Sequence, residues 1–205
     1  MKKLFLITML LIFSIPLNAQ EMELIVGRNF TTYDYTNSQG ETNPKLNGSS
    51  GSYIEVSYNI PFNRLQNLQY SFGLALNQFN ATGGDYASNY SWDTNYFGIK
   101  SGLIYSILPD RSFVDFNFKT GFGINRIING QQKINGATFD LSNNEDFTSV
   151  SVQPYLGLEL KYDLGGFLIG IGYNYSKNFS VANGDQEKLH FNNSRLEFGI
   201  TVPVN

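Results

Sequence analysis

The chain has 205 residues, of which 41% are hydrophobic and 15% aromatic, with no cysteine and a formal charge of −3. The lack of cysteine excludes disulfides, thiolate metal sites, a cysteine nucleophile and a lipid-modified N-terminal cysteine. The acidic balance argues against nucleic acid as a partner, and no apolar run outside the N-terminal stretch approaches the length of a membrane helix.

Residues 1–19 read as an export signal. Lys2 and Lys3 precede an apolar stretch from Leu4 to Ile15, broken only by Thr8 and Ser14, and Leu17-Asn18-Ala19 forms a small-residue cleavage site before Gln20. At about twelve residues the apolar stretch is too short to span a bilayer. Cleavage leaves 186 residues with 12 bases against 17 acids, a charge of −5 and a length that suits one domain, residues 20–205.

Eight stretches then alternate apolar and polar residues. The first runs from Glu23 to Tyr35, and a polar connection, Thr36 to Gly51, follows. In the second, Ser52 to Phe62, the residues Ile54, Val56, Tyr58, Ile60 and Phe62 share one face. Tyr53, Glu55, Ser57 and Asn59 share the other. A short turn leads to the third, Leu68 to Asn80, and the connection Ala81 to Ser91 leads to the fourth, Trp92 to Leu108. Pro109-Asp110 is a short turn before the fifth, Arg111 to Ile127. The longest connection, Ile128 to Asp146, precedes the sixth, Phe147 to Leu164. Gly165-Gly166 predicts a two-residue hairpin turn that pairs Leu164 with Phe167, and so Lys161 with Gly170 and Glu159 with Gly172. The seventh stretch is Phe167 to Phe179, the last connection Ser180 to Lys188, and the eighth stretch Leu189 to Pro203.

Connections thus alternate long and short. An even strand count, loop parity and a consistent apolar face together predict an all-β fold: an eight-stranded antiparallel up-and-down transmembrane β-barrel. A mean hydropathy of −0.21 fits, because only alternate residues of such a barrel touch lipid. A soluble eight-stranded barrel would turn its apolar face inward on a ligand. The glycine-rich polar faces and the aromatics near strand ends favour the membrane form. Tyr58, Phe62, Tyr70, Tyr105, Tyr162, Phe167, Tyr173 and Tyr175 read as interfacial girdles rather than as a ligand-stacking surface.

The polar faces carry Glu55, Asp115, Glu159 and Glu197 with Lys100, Lys119, Lys161 and Arg195. An eight-stranded barrel encloses little more than its own side chains. Four acids and four bases in that space are expected to pair, because unpaired buried charge is costly. This predicts a plugged lumen. Arg28 breaks the pattern, since Leu24, Val26 and Phe30 are its face-mates, unless a bulge at Gly27 turns it inward.

Two constellations bear on catalysis or metal binding. His190, the lone histidine, shares a face with Ser194 but reads as a rim residue. The oxygen-rich segment Asp140-Leu141-Ser142-Asn143-Asn144-Glu145-Asp146 lacks the sixth-position glycine of an EF-hand and reads as a solvated loop. No catalytic, metal or cofactor site is expected.

The Leu17-Asn18-Ala19-Gln20 junction, the entry strand Gly27-Arg28-Asn29-Phe30, the eight-stretch layout and the final strand Leu196-Glu197-Phe198-Gly199-Ile200 resemble the small OmpA/OmpX-type outer-membrane barrels. Within that group they resemble the Bacteroidota proteins with an outer membrane protein β-barrel domain. The resemblance implies outer-membrane residence, periplasmic termini and four extracellular loops, with structural or interaction roles and no enzymatic activity. The partners it implies are outer-membrane lipid, lipopolysaccharide and an extracellular or periplasmic protein. It carries over no catalytic residues. The small lipid A deacylase barrels place histidine and serine at H-x-S spacing, but here Asn192 stands two residues after His190. The chain also departs from the group's pattern in ending Val202-Pro203-Val204-Asn205 rather than in an aromatic. No cell-wall tether is expected. The competing functions are a narrow pore or an accessory to outer-membrane transport, and, behind that, a lipid-modifying barrel enzyme.

Overall fold

The computed structural model describes residues 20–36, 41–42, 45–62, 67–84, 89–107, 113–142, 150–180 and 188–204. The expected export signal and the Pro109-Asp110 turn lie outside them. Ten strands form one antiparallel sheet: β1 (Gln20–Thr36), β2 (Leu46–Pro61), β3 (Leu68–Gln78), β4 (Ala81–Gly84), β5 (Asn89–Ser106), β6 (Val114–Ile134), β7 (Ala137–Asp140), β8 (Ser151–Asp163), β9 (Leu168–Ser180) and β10 (Lys188–Val204). No helix occurs among the described residues.

These make eight staves. β3 and β4 are one, because the ladder to β5 resumes in the same register after Phe79 and Asn80, from Gln78–Asn95 to Ala81–Trp92. β7 pairs only with β6 among the described residues and extends that stave as a hairpin.

The sheet closes on itself. One row of paired residues can be followed around the whole ring. Thr31 pairs with Asn193, then Ser176, Tyr155, Gly121, Gly102, Ser71 and Asn59, and the row returns to β1 at Glu21. It comes back ten residues below its starting point, from position 31 to position 21. With strands about 4.8 Å apart and a rise of about 3.3 Å per residue, that stagger tilts the strands by about 40°. Among the described residues each stave of the ring is paired on both sides, which is how antiparallel barrels dispose of unpaired backbone groups; only the β7 extension beyond the ring pairs on one side.

Burial alternates along the wall. β8 reads buried, exposed, buried from Ser151 to Lys161. Leu156, Leu158 and Leu160 face out, while Gln153, Tyr155, Gly157, Glu159 and Lys161 face in. The apolar faces predicted for the other stretches also point outward, including Val56, Leu74, Ile99, Phe122, Ile171 and Phe198. A soluble protein would hide such a surface. Here it forms a continuous exterior band, the form of a membrane-spanning barrel.

The hairpin at Gly165-Gly166 has the expected register: the Leu164 amide donates to the Phe167 carbonyl at 3.1 Å, and Lys161 and Glu159 stand opposite Gly170 and Gly172. A Cβ on Gly172 would meet the Leu158 carbonyl at 3.2 Å and Glu197 Oε2 at 3.4 Å. Gly172→Leu is therefore expected to crowd the lumen and destabilise the barrel by about 1–3 kcal/mol, read from urea unfolding in lipid vesicles. An unchanged midpoint would count against this packing.

The strands reach farther than alternation implied. β2 begins at Leu46 rather than Ser52, β5 at Asn89 rather than Trp92, and β6 runs past Ile127 to Ile134. Beyond the apolar band a strand needs only backbone partners, so Asn-, Ser- and Gly-rich sequence continues the ladder. The predicted loop Ile128 to Asp146 thus holds a β-hairpin, turned by Asn135 (φ 49°) and Gly136 (φ 88°), the left-handed pair that a two-residue turn requires. Ile128 is the extra residue of a β-bulge opposite Asn95 and Tyr96, and past it Gly130 takes the inward position.

Candidate functional site

The inward faces build a lumen in layers. Nearest the end that holds Gln20, Glu23 projects from β1 with its Oε1 2.8 Å from Lys161 Nζ and its Oε2 3.4 Å from Lys119 Nζ. Glu159 serves the same two lysines, at 2.7 Å from Lys119 and 3.6 Å from Lys161. Lys161 also donates to the Thr201 hydroxyl at 2.9 Å, and that hydroxyl donates to Glu23 at 3.3 Å. The amides of Asn59 and Asn117 donate to Glu23 and Glu159 at 3.4 and 3.3 Å.

A second charged layer follows. Lys100 Nζ lies 2.6 Å from Glu55, and Arg195 Nε lies 2.5 Å from Glu197. The Tyr53 hydroxyl donates to Glu55 and accepts from Lys100, while the Arg195 guanidinium stacks 3.5 Å from the centre of the Tyr53 ring. Lys100 also lies 4.6 Å from the centre of the Tyr155 ring. Tyr155 fits because Gly102 and Gly121 leave room: a Cβ on either would lie 2.2 or 2.8 Å from its hydroxyl.

Above this sits a belt of neutral amides and hydroxyls. Asn77 donates to Asn125, Asn125 to Gln153, Gln153 to Ser176, and Asn193 to Asn29. Farther out the interior turns apolar. Tyr33, Phe79, Ala81, Tyr96, Leu141 and Phe191 form one buried cluster, flanked by Leu46, Trp92 and Ile127. The rings of Tyr33 and Phe191 stack at 4.5 Å, and Phe79 lies 5.3 Å from Tyr96 and 5.5 Å from Phe191. The Tyr33 hydroxyl donates to the Phe79 carbonyl at 2.7 Å, so its polar tip is satisfied. Leu141, held by its amide on the Gly130 carbonyl at 2.9 Å, brings the chain after β7 into the same cluster.

Of the eight charges predicted for the lumen, Glu55, Lys100, Lys119, Glu159, Lys161, Arg195 and Glu197 are buried there in ion pairs. Asp115 is corrected. It stands half-buried at the rim nearest Gln20, opposite Lys161 in register, and takes no ion pair among the described residues. The fourth buried acid is Glu23, 1% exposed, which holds two lysines. Its parity with outward Leu24 pointed to it, but it opens the first stretch, where alternation had no preceding residues to establish it. The sequence carries no comparable signal for the aromatic cluster, because Tyr33, Tyr96 and Phe191 each sit on the otherwise polar inward face of a different strand.

The bulge considered at Gly27 is absent. The ladders on both sides of β1 run unbroken through Gly27 and Arg28. Arg28 faces outward, and its guanidinium donates to Ser50 Oγ at 2.7 Å.

His190 and Ser194 are not brought together. Ser194 Oγ accepts from the Tyr173 hydroxyl at 2.9 Å, while the His190 ring packs edge-on against Phe179 at 5.3 Å. Four residues of strand separate their Cα atoms by about 13 Å. In the oxygen-rich segment, Asp140 is engaged locally. Hydrogen bonds from the Ser142 hydroxyl and amide hold its carboxyl below the usual range. Residues 143–146 lie outside the described residues, and no metal-binding cluster occurs among those described.

No protein-family model matches the chain, and no curated protein matches it in sequence. Solved structures are similar in chain path. Neisserial surface protein A is 13% identical with a TM-score of 0.46, over 88% of this chain and 97% of that one. The N-terminal β-barrel domain of OprF from Pseudomonas aeruginosa is 9% identical with a TM-score of 0.47, over 92% and 98%. The outer membrane protease OmpT from Escherichia coli is 8% identical with a TM-score of 0.48, over 93% and 98%.

Proposed function

We propose that this chain is an integral outer-membrane barrel with a closed lumen, acting without catalysis through the surface that its long connections present. The observation that carries the reading is the division of the wall. Its outer face is apolar around the whole ring, and its inner face is filled by paired charge and capped by aromatic rings. An apolar exterior suits lipid, and a filled interior leaves the loops and outer rim as the surface for partners. The export signal at residues 1–19 supports delivery across the inner membrane. The entry and final strands support placing the chain among the OmpA/OmpX-type barrels of Bacteroidota. Short connections at one end then face the periplasm with both termini.

Fractionation of cells producing the full chain tests this. The protein is expected in the outer membrane, with a band that migrates differently before and after boiling, as a closed barrel resists detergent. External protease on intact cells should cut the β1–β2, β4–β5, β7–β8 and β9–β10 connections. Recovery in the soluble periplasm would refute the membrane reading, and cleavage only after permeabilisation would reverse the orientation.

A further inference from the structure

Charge is sorted by face. Inside, every buried cation has a carboxylate partner. Outside, at the edge of the apolar band, three cations have none among the described residues: Arg28 on β1, Lys177 on β9 and Arg126 on β6; Lys133 has none either but stands beyond the band, in the hairpin that extends β6. Each of the three faces outward near the outer edge of the apolar band. Beyond Arg28 the outward residues of β1 are Phe30, Thr32 and Asp34, and beyond Lys177 stands Phe179, whose ring centre lies 5.5 Å from the ammonium. Arg126 follows Ile124 and precedes the bulge at Ile128.

The ring geometry puts them at a common level. With a rise of about 3.3 Å per residue and a tilt of about 40°, their Cα atoms lie within about 8 Å of one another in height. They occur on every second stave along the arc β1, β10, β9, β8, β6. On the opposite arc the same level holds Ser50, Ser52, Gln78 and Asn95, all neutral. The outward carboxylates Asp34 and Asp93 stand farther out, Asp34 six residues beyond Arg28, or about 20 Å along the strand. The Arg28 guanidinium already leans toward the outer end, bonding Ser50 rather than its register partner Ser52. This is the posture of a long cationic side chain reaching for an interface.

Uncompensated cations beside hydrocarbon are costly unless an anion meets them. We propose that Arg28, Lys177 and Arg126 form a phosphate-binding arc for phosphorylated headgroups of the outer leaflet, so that one side of the barrel is dressed by anionic lipid. Guanidinium and ammonium groups give phosphate oxygens charge-assisted hydrogen bonds, and membrane depth selects a lipid over a soluble anion. The inference rests on the outer-membrane reading above and specifies the lipid contact within it.

The test uses the full chain folded into phosphatidylcholine vesicles, alone or mixed with phosphorylated lipid A, with dephosphorylated lipid A, or with inorganic phosphate in the buffer. The expected result is a rise of a few degrees in melting temperature with phosphorylated lipid A only. It should be lost in the combined variant Arg28→Gln, Arg126→Gln, Lys177→Gln and kept in Arg28→Lys, Arg126→Lys. An equal rise with dephosphorylated lipid or inorganic phosphate would overturn the proposal without needing a variant, as would a combined variant that keeps the full rise. Failure of the unaltered chain to insert into any vesicle would instead refute the membrane reading.

Discussion

Glu23→Ala is expected to destabilise the barrel by about 3–5 kcal/mol, the usual cost of stripping a buried charge of its partner. Glu23 is the carboxylate that Lys119 and Lys161 share with Glu159, so its removal leaves two buried ammonium groups facing one acid. Urea unfolding in lipid vesicles measures the loss. Adding Lys161→Ala to Glu23→Ala should recover part of it, because the layer is again balanced with Lys119 on Glu159. The double-mutant cycle reads that coupling directly. A loss below about 1 kcal/mol, the range of solvent-screened pairs, would mean that water reaches this layer and that the charges do not fill the lumen.

Phe79→Ala is expected to cost a similar amount, about 3–5 kcal/mol, by a different mechanism. Phe79 is fully buried, and its ring touches those of Tyr96 and Phe191 inside the barrel mouth. Truncation opens a hole that the rigid wall cannot collapse to fill. Phe79→Leu, which keeps most of the volume, should cost far less. The wall distinguishes this from loss of an exterior ring. Phe72 lies on the same stave but faces outward, and in a lipid bilayer Phe72→Ala should be much milder. Equal costs for the two alanine variants, in the same unfolding assay, would contradict the inward placement of Phe79.

Much of this was readable along the chain, and the limits have physical causes. Alternation has a period of two, so one well-patterned stretch such as Leu156, Leu158 and Leu160 orients every residue beside it, including Glu159 and Lys161. Seven of the eight lumen charges followed from parity alone. Parity says which face a residue takes but not its depth. Asp115 and Glu23 traded places for that reason: both are inward, but only Glu23 lies deep enough to be enclosed. The aromatic cap fails the same way. Tyr33, Phe79, Tyr96 and Phe191 come from four staves, and only the ten-residue stagger of the closed ring brings them to one level. The outer hairpin carried a local signal, Asn135-Gly136, but its flanks Gln131-Gln132-Lys133 and Ala137-Thr138 lack the alternation that marks a half-buried strand. Arg28 looked anomalous because its height was unknown, since near the outer edge an outward cation is far less costly than at the midplane.

The closed lumen is the centre of this account, and ion conductance tests it most directly. Purified full-length protein, folded and inserted into planar bilayers, should give no steady single-channel current, because two ion-paired layers, an amide belt and an aromatic cap stand in series along the axis. Steady unitary currents that recur across independent preparations of the unaltered chain would contradict it.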